Sequence, residues 1–434
     1  MVDALERVEV SVRCGEERVI VAIPRENFLY AIRPKDVPAV SEEEEAIRLS
    51  IQNPIAALPL REQVRRGMKV VIVGDDLTRA TPRERIFPVL LDELNRGGVP
   101  DRDIIVLIGL GTHRYMTQEE IEQCFGREVA KRVVICDHEW KEPQNLAKIG
   151  STPGGTPIEV NKIALEADFL IAVGSIIPHC YAGYGGGGKA IQPGICSWAT
   201  TGHTHILPLE KDLYLKIAGQ VENDVRREIE MVAEAVQLRF IVNTILNDQG
   251  KIAQVVAGNQ IAAHRKGVEG AKQIYERPIP GLADIVVVSA YPADIDYWQG
   301  VKPLSYAQKG VRKGGTSILV APFPEGISPV HTDLKKFATL PYGELKRRVQ
   351  EGSFEDLVCA ATLLLHAKIR EHSQEVICFS QGMREEDQEA LGFKRAETVE
   401  EALEMAYATQ GKRAKVGVID CGGDILPKHW ESEL

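Results

Sequence analysis

Lys69-Val70-Val71-Ile72-Val73-Gly74-Asp75-Asp76-Leu77-Thr78-Arg79-Ala80-Thr81-Pro82 reads as a buried strand that ends in charge. Its first part, Lys69–Gly74, is nearly all β-branched, which suits a strand covered on both faces. Behind Pro82, a residue type favoured at a helix start, Arg83–Asn95 sets Ile86, Phe87, Leu90, Leu91 and Leu94 on one stripe. The unit is therefore strand, charged turn, amphipathic helix. It recurs along the chain. Further candidate strands are Asp103–Leu110, Arg132–Asp137, Asp168–Gly174, Arg239–Val242, Asp284–Ala290, Ser317–Ala321, Val376–Phe379 and Lys415–Ile419. Amphipathic helices are predicted at Val221–Val236 and Phe354–Ile369. Such alternation predicts an α/β protein with mostly parallel sheets.

The first 40 residues read as a hairpin region, and Glu42–Glu45 open a helix as an acidic cap. Pro278-Ile279-Pro280-Gly281 separates a helix from a new series of strands. Two α/β domains are expected, 1–277 and 278–434, with roughly the last 25 residues placed to pack back on the first.

The totals set limits. With 434 residues, 44% hydrophobic and 26% charged, the chain can bury a large core. Its net charge of −10 and scattered Lys and Arg residues point away from nucleic-acid or anionic-membrane surfaces. Met1 to Gly15 alternates charged and apolar residues, so no secretory leader is expected, and no apolar run is long enough to span a membrane. Eight cysteines, none in a CxxC pair, predict reduced thiols in a cytoplasmic protein. Cys180 and Cys196 flank the most unusual segment, where small buried residues are the plainer reading.

That segment runs Pro178-His179-Cys180-Tyr181-Ala182-Gly183-Tyr184-Gly185-Gly186-Gly187-Gly188-Lys189-Ala190-Ile191-Gln192-Pro193-Gly194. Gly183–Lys189 satisfies the first part of a P-loop, but Ala190 stands where a magnesium-binding Ser or Thr belongs. Pro193-Gly194 would stop the helix that a P-loop needs, and the preceding strand ends too early, near Gly174. What remains is a lysine on a flexible glycine bed (Gly186, Gly187, Gly188), with His179 before it and His203 and His205 after it. A lysine so placed is an anion contact or a point of covalent attachment.

Three successive strand ends carry polar groups towards one rim of the sheet, where open α/β sheets bind ligands. They are Asp76 with Arg79, His113 in Gly109-Leu110-Gly111-Thr112-His113-Arg114, and Asp137-His138-Glu139. Thr117 and Glu120 complete a capping box behind His113. In the second half, Tyr297-Trp298-Gln299-Gly300-Val301-Lys302 offers aromatics, an amide and a cation, with Gln299 and Lys302 on one helical face. His264, His331, His366, His372 and His429 read as surface or core residues.

Order and spacing together carry a resemblance: Asp-x-x-Arg, Gly-x-His-Arg, His-x9-Lys, a histidine sixteen residues past that lysine, and Gln-x-x-Lys. The chain resembles the lactate racemase family of nickel-pincer nucleotide-dependent 2-hydroxy acid racemases and epimerases, along nearly its whole length. The resemblance implies two α/β domains with the active site in the cleft between them. It implies that Lys189 carries the cofactor, a pyridinium-3-thioamide-5-thiocarboxylic acid mononucleotide with bound nickel, and that His205 rather than His203 is the nickel ligand. It further implies His113 and His179 as paired acid–base groups, with Asp76 and Arg79 beside His113. Arg79, Gln299 and Lys302 become substrate contacts, and Tyr297, Trp298, Tyr181 and Cys180 shape the pocket. The implied substrate is a small, lactate-like 2-hydroxy acid, and the enzymes that make the cofactor become transient partners. Two other classes stay open: a metal-dependent hydrolase using His179, His203 and His205, and a non-catalytic nucleotide- or anion-binding module.

Overall fold

A computed structural model describes residues 6–429; the outer ends of the two expected domains, 1–5 and 430–434, lie outside the described residues. Two six-stranded sheets form the frame. In the first, the spatial order is Ile252–Gly258, Leu238–Leu246, Phe169–Ser175, Val70–Asp75, Ile104–Gly109, Val134–Asp137. All pairs are parallel except Leu238–Leu246 with Ile252–Gly258. From Val70–Asp75 the chain moves outward through two strands, then returns to the other side at Phe169–Ser175. The order thus reverses between Val70–Asp75 and Phe169–Ser175, and the crevice above their carboxyl ends is where such sheets bind ligands.

Burial explains the first unit. Val70, Val71, Ile72 and Val73 are fully buried, and so are Ile86, Phe87, Leu90, Leu91 and Leu94 of the Arg83–Arg96 helix. Each large apolar side chain so placed contributes about 1.5–3 kcal/mol.

The second sheet, all parallel, runs Lys394–Ala396, Glu375–Phe379, Val311–Val320, Ala283–Ser289, Val416–Ile419, Phe28–Ile32. Its order reverses between Ala283–Ser289 and Val416–Ile419, giving a second crevice that faces the first.

Residues 7–32, expected with the first domain, pack with the second. The hairpin Arg7–Cys14/Glu17–Pro24 sets Val12, Cys14, Val21 and Ile23 against Ile285, Val287 and Ile318, and Phe28–Ile32 then joins the sheet beside Val416–Ile419. The last described strand, Leu426–His429, pairs with Glu276–Ile279 at the junction of the halves. The Leu357–His372 helix has no polar stripe: Val358 to Ala367 are all buried. It lies on the Trp198–Ile206 helix of the first domain, where Gly202 permits contact; a Cβ there would come within 2.8 Å of Leu357. Among the described residues no helix is long and apolar enough to cross a membrane, and all eight cysteines are free.

Candidate active site

The two crevices enclose one cavity, and the end of Val70–Asp75 supplies its first wall. Asp75 anchors the turn by holding Arg83 Nη1 at 2.5 Å and Thr81 Oγ1 at 2.6 Å. Asp76, almost fully buried, accepts from Thr78 N at 3.1 Å and meets His113 Nδ1 at 2.6 Å. Burial alone would raise the Asp76 pKa, but the charges of His113 and Arg79 and the hydrogen bonds from His113 and Thr78 more than offset it and hold the carboxyl well below its ordinary range. The expected capping box of Thr117 and Glu120 is present and fixes the helix behind His113. Trp140 Nε1 donates to the His113 carbonyl at 2.8 Å.

With Asp76 taking its Nδ1–H, His113 offers the Nε2 lone pair to the cavity, where Gln299 Nε2 donates to it at 3.1 Å. Burial pulls the His113 pKa below 6.5 despite Asp76, so the ring is neutral at neutral pH.

The lysine segment is braced rather than flexible. Arg226, fully buried, donates to the carbonyls of Gly186 at 3.2 Å, Ala182 at 3.4 Å and Tyr184. Asn243 Oδ1 accepts from Gly187 N at 2.8 Å, and His264 Nε2 donates to Gly185 O at 2.8 Å. Gly185 and Gly186 line the cavity with Lys189. Gly187 and Gly188 do not; they pack on His264 and Ala233, where a Cβ would come within about 3.0 and 2.9 Å. Their role is close packing. Lys189 ends this turn in the cavity wall, and burial, then the charges of Arg79, Lys302 and Arg226, hold its pKa well below 10.5. That shift favours the uncharged, nucleophilic amine over the ammonium.

His179 accepts the backbone N–H groups of Tyr181 at 3.2 Å and Ala182 at 3.3 Å on Nδ1, which leaves its proton on Nε2. Burial and the neighbouring Lys189, Lys302 and Arg79 charges hold its pKa well below the usual value. His205 lies on the Trp198–Ile206 helix and gives its Nδ1–H to Thr201 O at 2.8 Å, leaving Nε2 unprotonated; burial and Lys189 push its pKa down to about 3. His203, on the same helix, turns away to Thr156 Oγ1 at 3.0 Å. It does not line the cavity, so the three-histidine hydrolase site is not formed. Among the described residues no group of three His, Cys, Asp or Glu side chains is arranged to hold a metal ion alone.

The second domain closes the cavity with the Tyr297–Ala307 helix, which Asp296 caps by accepting Gln299 N at 2.9 Å. Gln299 and Lys302 share the face that the spacing demands: Lys302 Nζ donates to Gln299 Oε1, which also faces Arg79 Nη1 at 3.5 Å. Burial and Arg79 lower the Lys302 pKa to about 7. Trp298 lines the cavity, but Tyr297 does not. Its ring is buried against Phe323 and Phe393, with its hydroxyl 2.6 Å from His366 Nδ1. Successive helical residues point about 100° apart, and a helix that aims Trp298 and Gln299 at the cavity must turn Tyr297 into the core.

The third strand end departs from expectation. His138 is buried, donating from Nε2 to Cys196 O at 3.0 Å and accepting from Asn161 Nδ2 at 3.1 Å, so it props the lysine segment from behind. Cys180 and Tyr181 line the cavity; Cys196 is core.

Several site residues escaped the sequence reading. Asp424 follows the Val416–Ile419 strand, faces Arg79 and Lys302, and is pushed up to about 7 mainly by burial. An acid sought just past the buried strand would have been Asp420, which pairs with Arg13 N and Arg18; Asp424 lies four residues further on, beyond the Gly422-Gly423 turn. Val358 and Thr362 reach the cavity from the Leu357–His372 helix. His331 pairs with Asp356 beneath Trp298. No local spacing announces that pair.

Residues 14–213 match the family model described as the lactate racemase N-terminal domain, and residues 280–426 the lactate racemase C-terminal domain. The lactate racemase of Lactiplantibacillus plantarum is 30% identical over 394 residues, covering 89% of this chain and 91% of that protein. That of Thermoanaerobacterium thermosaccharolyticum is 30% identical over 324 residues, 73% of this chain and 75% of that protein. The apoprotein structure of lactate racemase from Thermoanaerobacterium thermosaccharolyticum superposes with a TM-score of 0.86 at 27% identity, over 97% of this chain and 100% of that one. A Thermotoga maritima structure shares the fold, with a TM-score of 0.72 at 21% identity, over 89% of this chain and 98% of that one.

Proposed function

This chain belongs to the lactate racemase family, an isomerase family, and from that premise we propose that it racemises or epimerises small 2-hydroxy acids with a lysine-tethered nickel-pincer nucleotide. The observation that carries the reading is two imidazoles, His113 and His179, lining one cavity with two basic side chains, Arg79 and Lys302, and with Lys189, whose pKa burial holds well below 10.5.

The residues fit the cofactor. Burial favours the unprotonated Lys189 amine that a thioamide linkage requires, His205 keeps Nε2 free for a metal, and Gly185 and Gly186 leave the wall beside Lys189 bare of side chains. When bound, the group supplies a hydride acceptor, so the carbon next to the carboxylate need not lose a proton, a step beyond the reach of a histidine.

The protein's own groups do the rest. Arg79 and Lys302 hold the substrate carboxylate. His113 Nε2 takes the hydroxyl proton of one enantiomer, and Asp76 stabilises the imidazolium that results. Gln299 now occupies Nε2 and must give way to the substrate hydroxyl. His179 presents an N–H to the opposite side of the cavity. For the mirror-image substrate it acts as base from its other tautomer, giving up the two backbone hydrogen bonds on Nδ1.

The eight free thiols support a cytoplasmic location, and the enzymes that make the cofactor are the expected transient partners. The test is to co-produce the chain with those enzymes, measure intact mass and metal content, and follow optical rotation with enantiopure 2-hydroxy acids. Added mass on Lys189, nickel, and loss of rotation are expected. Holo-protein that leaves every acid optically pure would overturn the proposal.

A further inference from the structure

Two walls of this cavity are tied together by a buried histidine and a half-buried aspartate that touch neither lysine nor the paired imidazoles. Asp356 caps the Leu357–His372 helix, its Oδ1 accepting Cys359 N at 2.8 Å. Its Oδ2 meets His331 Nδ1 at 2.7 Å. His331, only 2% exposed, lays its ring on the Trp298 indole with centroids 3.7 Å apart and planes inclined by 13°. Its Nε2 accepts a long hydrogen bond of 3.4 Å from Thr112 Oγ1. One carboxylate therefore fixes both the start of the helix that carries Val358 and Thr362 into the cavity and the plane of the aromatic ring on the facing helix.

The chemistry of these walls differs from that of the rest of the site. Arg79, Gln299 and Lys302 gather at one end and suit a carboxylate. Trp298, Val358 and Thr362 bring no cation, and the Thr362 hydroxyl is turned to Tyr181 Oη at 3.3 Å. A second carboxylate placed here would lose its water and gain no partner. The Leu357–His372 helix brings only the modest side chains Val358 and Thr362 to the cavity, with the Tyr181 ring beside them. A substrate methyl group makes fewer dispersion contacts with such apolar walls than a branched or aromatic substituent does.

We propose that the Asp356–His331 pair is a positioning device that sets the width of the side-chain pocket. It thereby selects 2-hydroxy acids bearing one carboxylate and a branched or aromatic apolar substituent over lactate and over dicarboxylates. The proposal rests on the racemase reading of the cavity. Asp356 and His331 act through Trp298 and the Leu357–His372 helix and exchange no proton with substrate.

The experiment uses holo-protein with enantiopure lactate, 2-hydroxyisovalerate, 3-phenyllactate and malate. The native chain should show kcat/KM for one of the two bulky acids about tenfold or more above lactate, with malate lowest, since a few methylene groups in an apolar pocket discriminate by about 10–200-fold. His331→Leu, which loses both the ring stack and the Asp356 bond, should lower the bulky-to-lactate ratio about tenfold, chiefly through KM for the bulky acid. His331→Phe keeps a ring against Trp298 and should recover part of the ratio. A general loss of fold would instead depress all acids alike and leave the ratio unmoved. Should His331→Leu fail to fold, Trp298→Ala removes the wall itself and should erase the preference. Native preference for lactate, or an unchanged ratio in the folded variants, would overturn the proposal. If cofactor-loaded native protein racemises none of the acids, the racemase reading falls first and this proposal with it.

Discussion

Two aspartate–histidine pairs face each other across the cleft, one in each domain, with nearly the same local geometry. Asp76 meets His113 Nδ1 at 2.6 Å, and Asp356 meets His331 Nδ1 at 2.7 Å. Each carboxylate fixes the tautomer and leaves Nε2 as the acceptor. The difference is what that acceptor meets. His113 Nε2 faces the reaction cavity and a displaceable amide from Gln299; His331 Nε2 faces Thr112, and its ring is covered by Trp298. The pairing presents an imidazole acceptor nitrogen in both places. Access to substrate decides whether it is used.

The largest expected effect therefore falls on the first pair. Asp76→Asn keeps the size of the side chain but removes the charge that stabilises the His113 imidazolium, and turnover should fall by about 100-fold or more. His113→Ala and His179→Ala should abolish turnover while the mass on Lys189 and the nickel content stay at native levels. Steady-state rates with intact mass on the same samples check both points. Full activity in either histidine variant would break the contrast between the pairs.

A second effect separates the cations from the bases. Lys302, lowered to about 7 by burial and Arg79, loses its proton as pH rises through that value, whereas Arg79 keeps its charge. In free enzyme the grip on a substrate carboxylate should weaken accordingly, so that KM rises about fivefold from pH 7 to pH 8 as one proton titrates. His113, shifted below 6.5, is already neutral across that range and limits turnover only on the acid side. Lys302→Met should show a high KM that no longer changes above pH 7. A native KM that stays flat from pH 6 to pH 9 would show that Arg79 alone holds the carboxylate.

The sequence displays the first pair and hides the second for physical reasons. Asp76 and His113 stand just past two neighbouring parallel strands, whose burial on both faces writes continuous β-branched runs. Two charged residues after such runs are bound to meet at one sheet edge. His331 and Asp356 lie in a loop and at a helix cap, and only tertiary packing brings them together. The same limit explains Phe28–Ile32: its partner, Val416–Ile419, lies at the far end of the chain, and strand pairing of that range leaves no local signature. Tyr297 and Trp298 show a third limit. Both are aromatic and adjacent, and the rotation of one helix about its axis decides which faces substrate.

The smallest expected effect comes from Thr112→Val, and it sharpens the contrast most. The change conserves volume while removing only the 3.4 Å hydrogen bond to His331 Nε2. A hydrogen bond of that length contributes at most about 0.5–1.5 kcal/mol, and Asp356 and Trp298 continue to hold the ring. Thermal unfolding should shift by a few degrees or less and turnover by about twofold or less, even though Thr112 adjoins His113. A turnover loss approaching that of Asp76→Asn would mean that the second pair passes protons into the site through the Thr112 hydroxyl. The division between a pair that reacts and a pair that positions would then no longer hold.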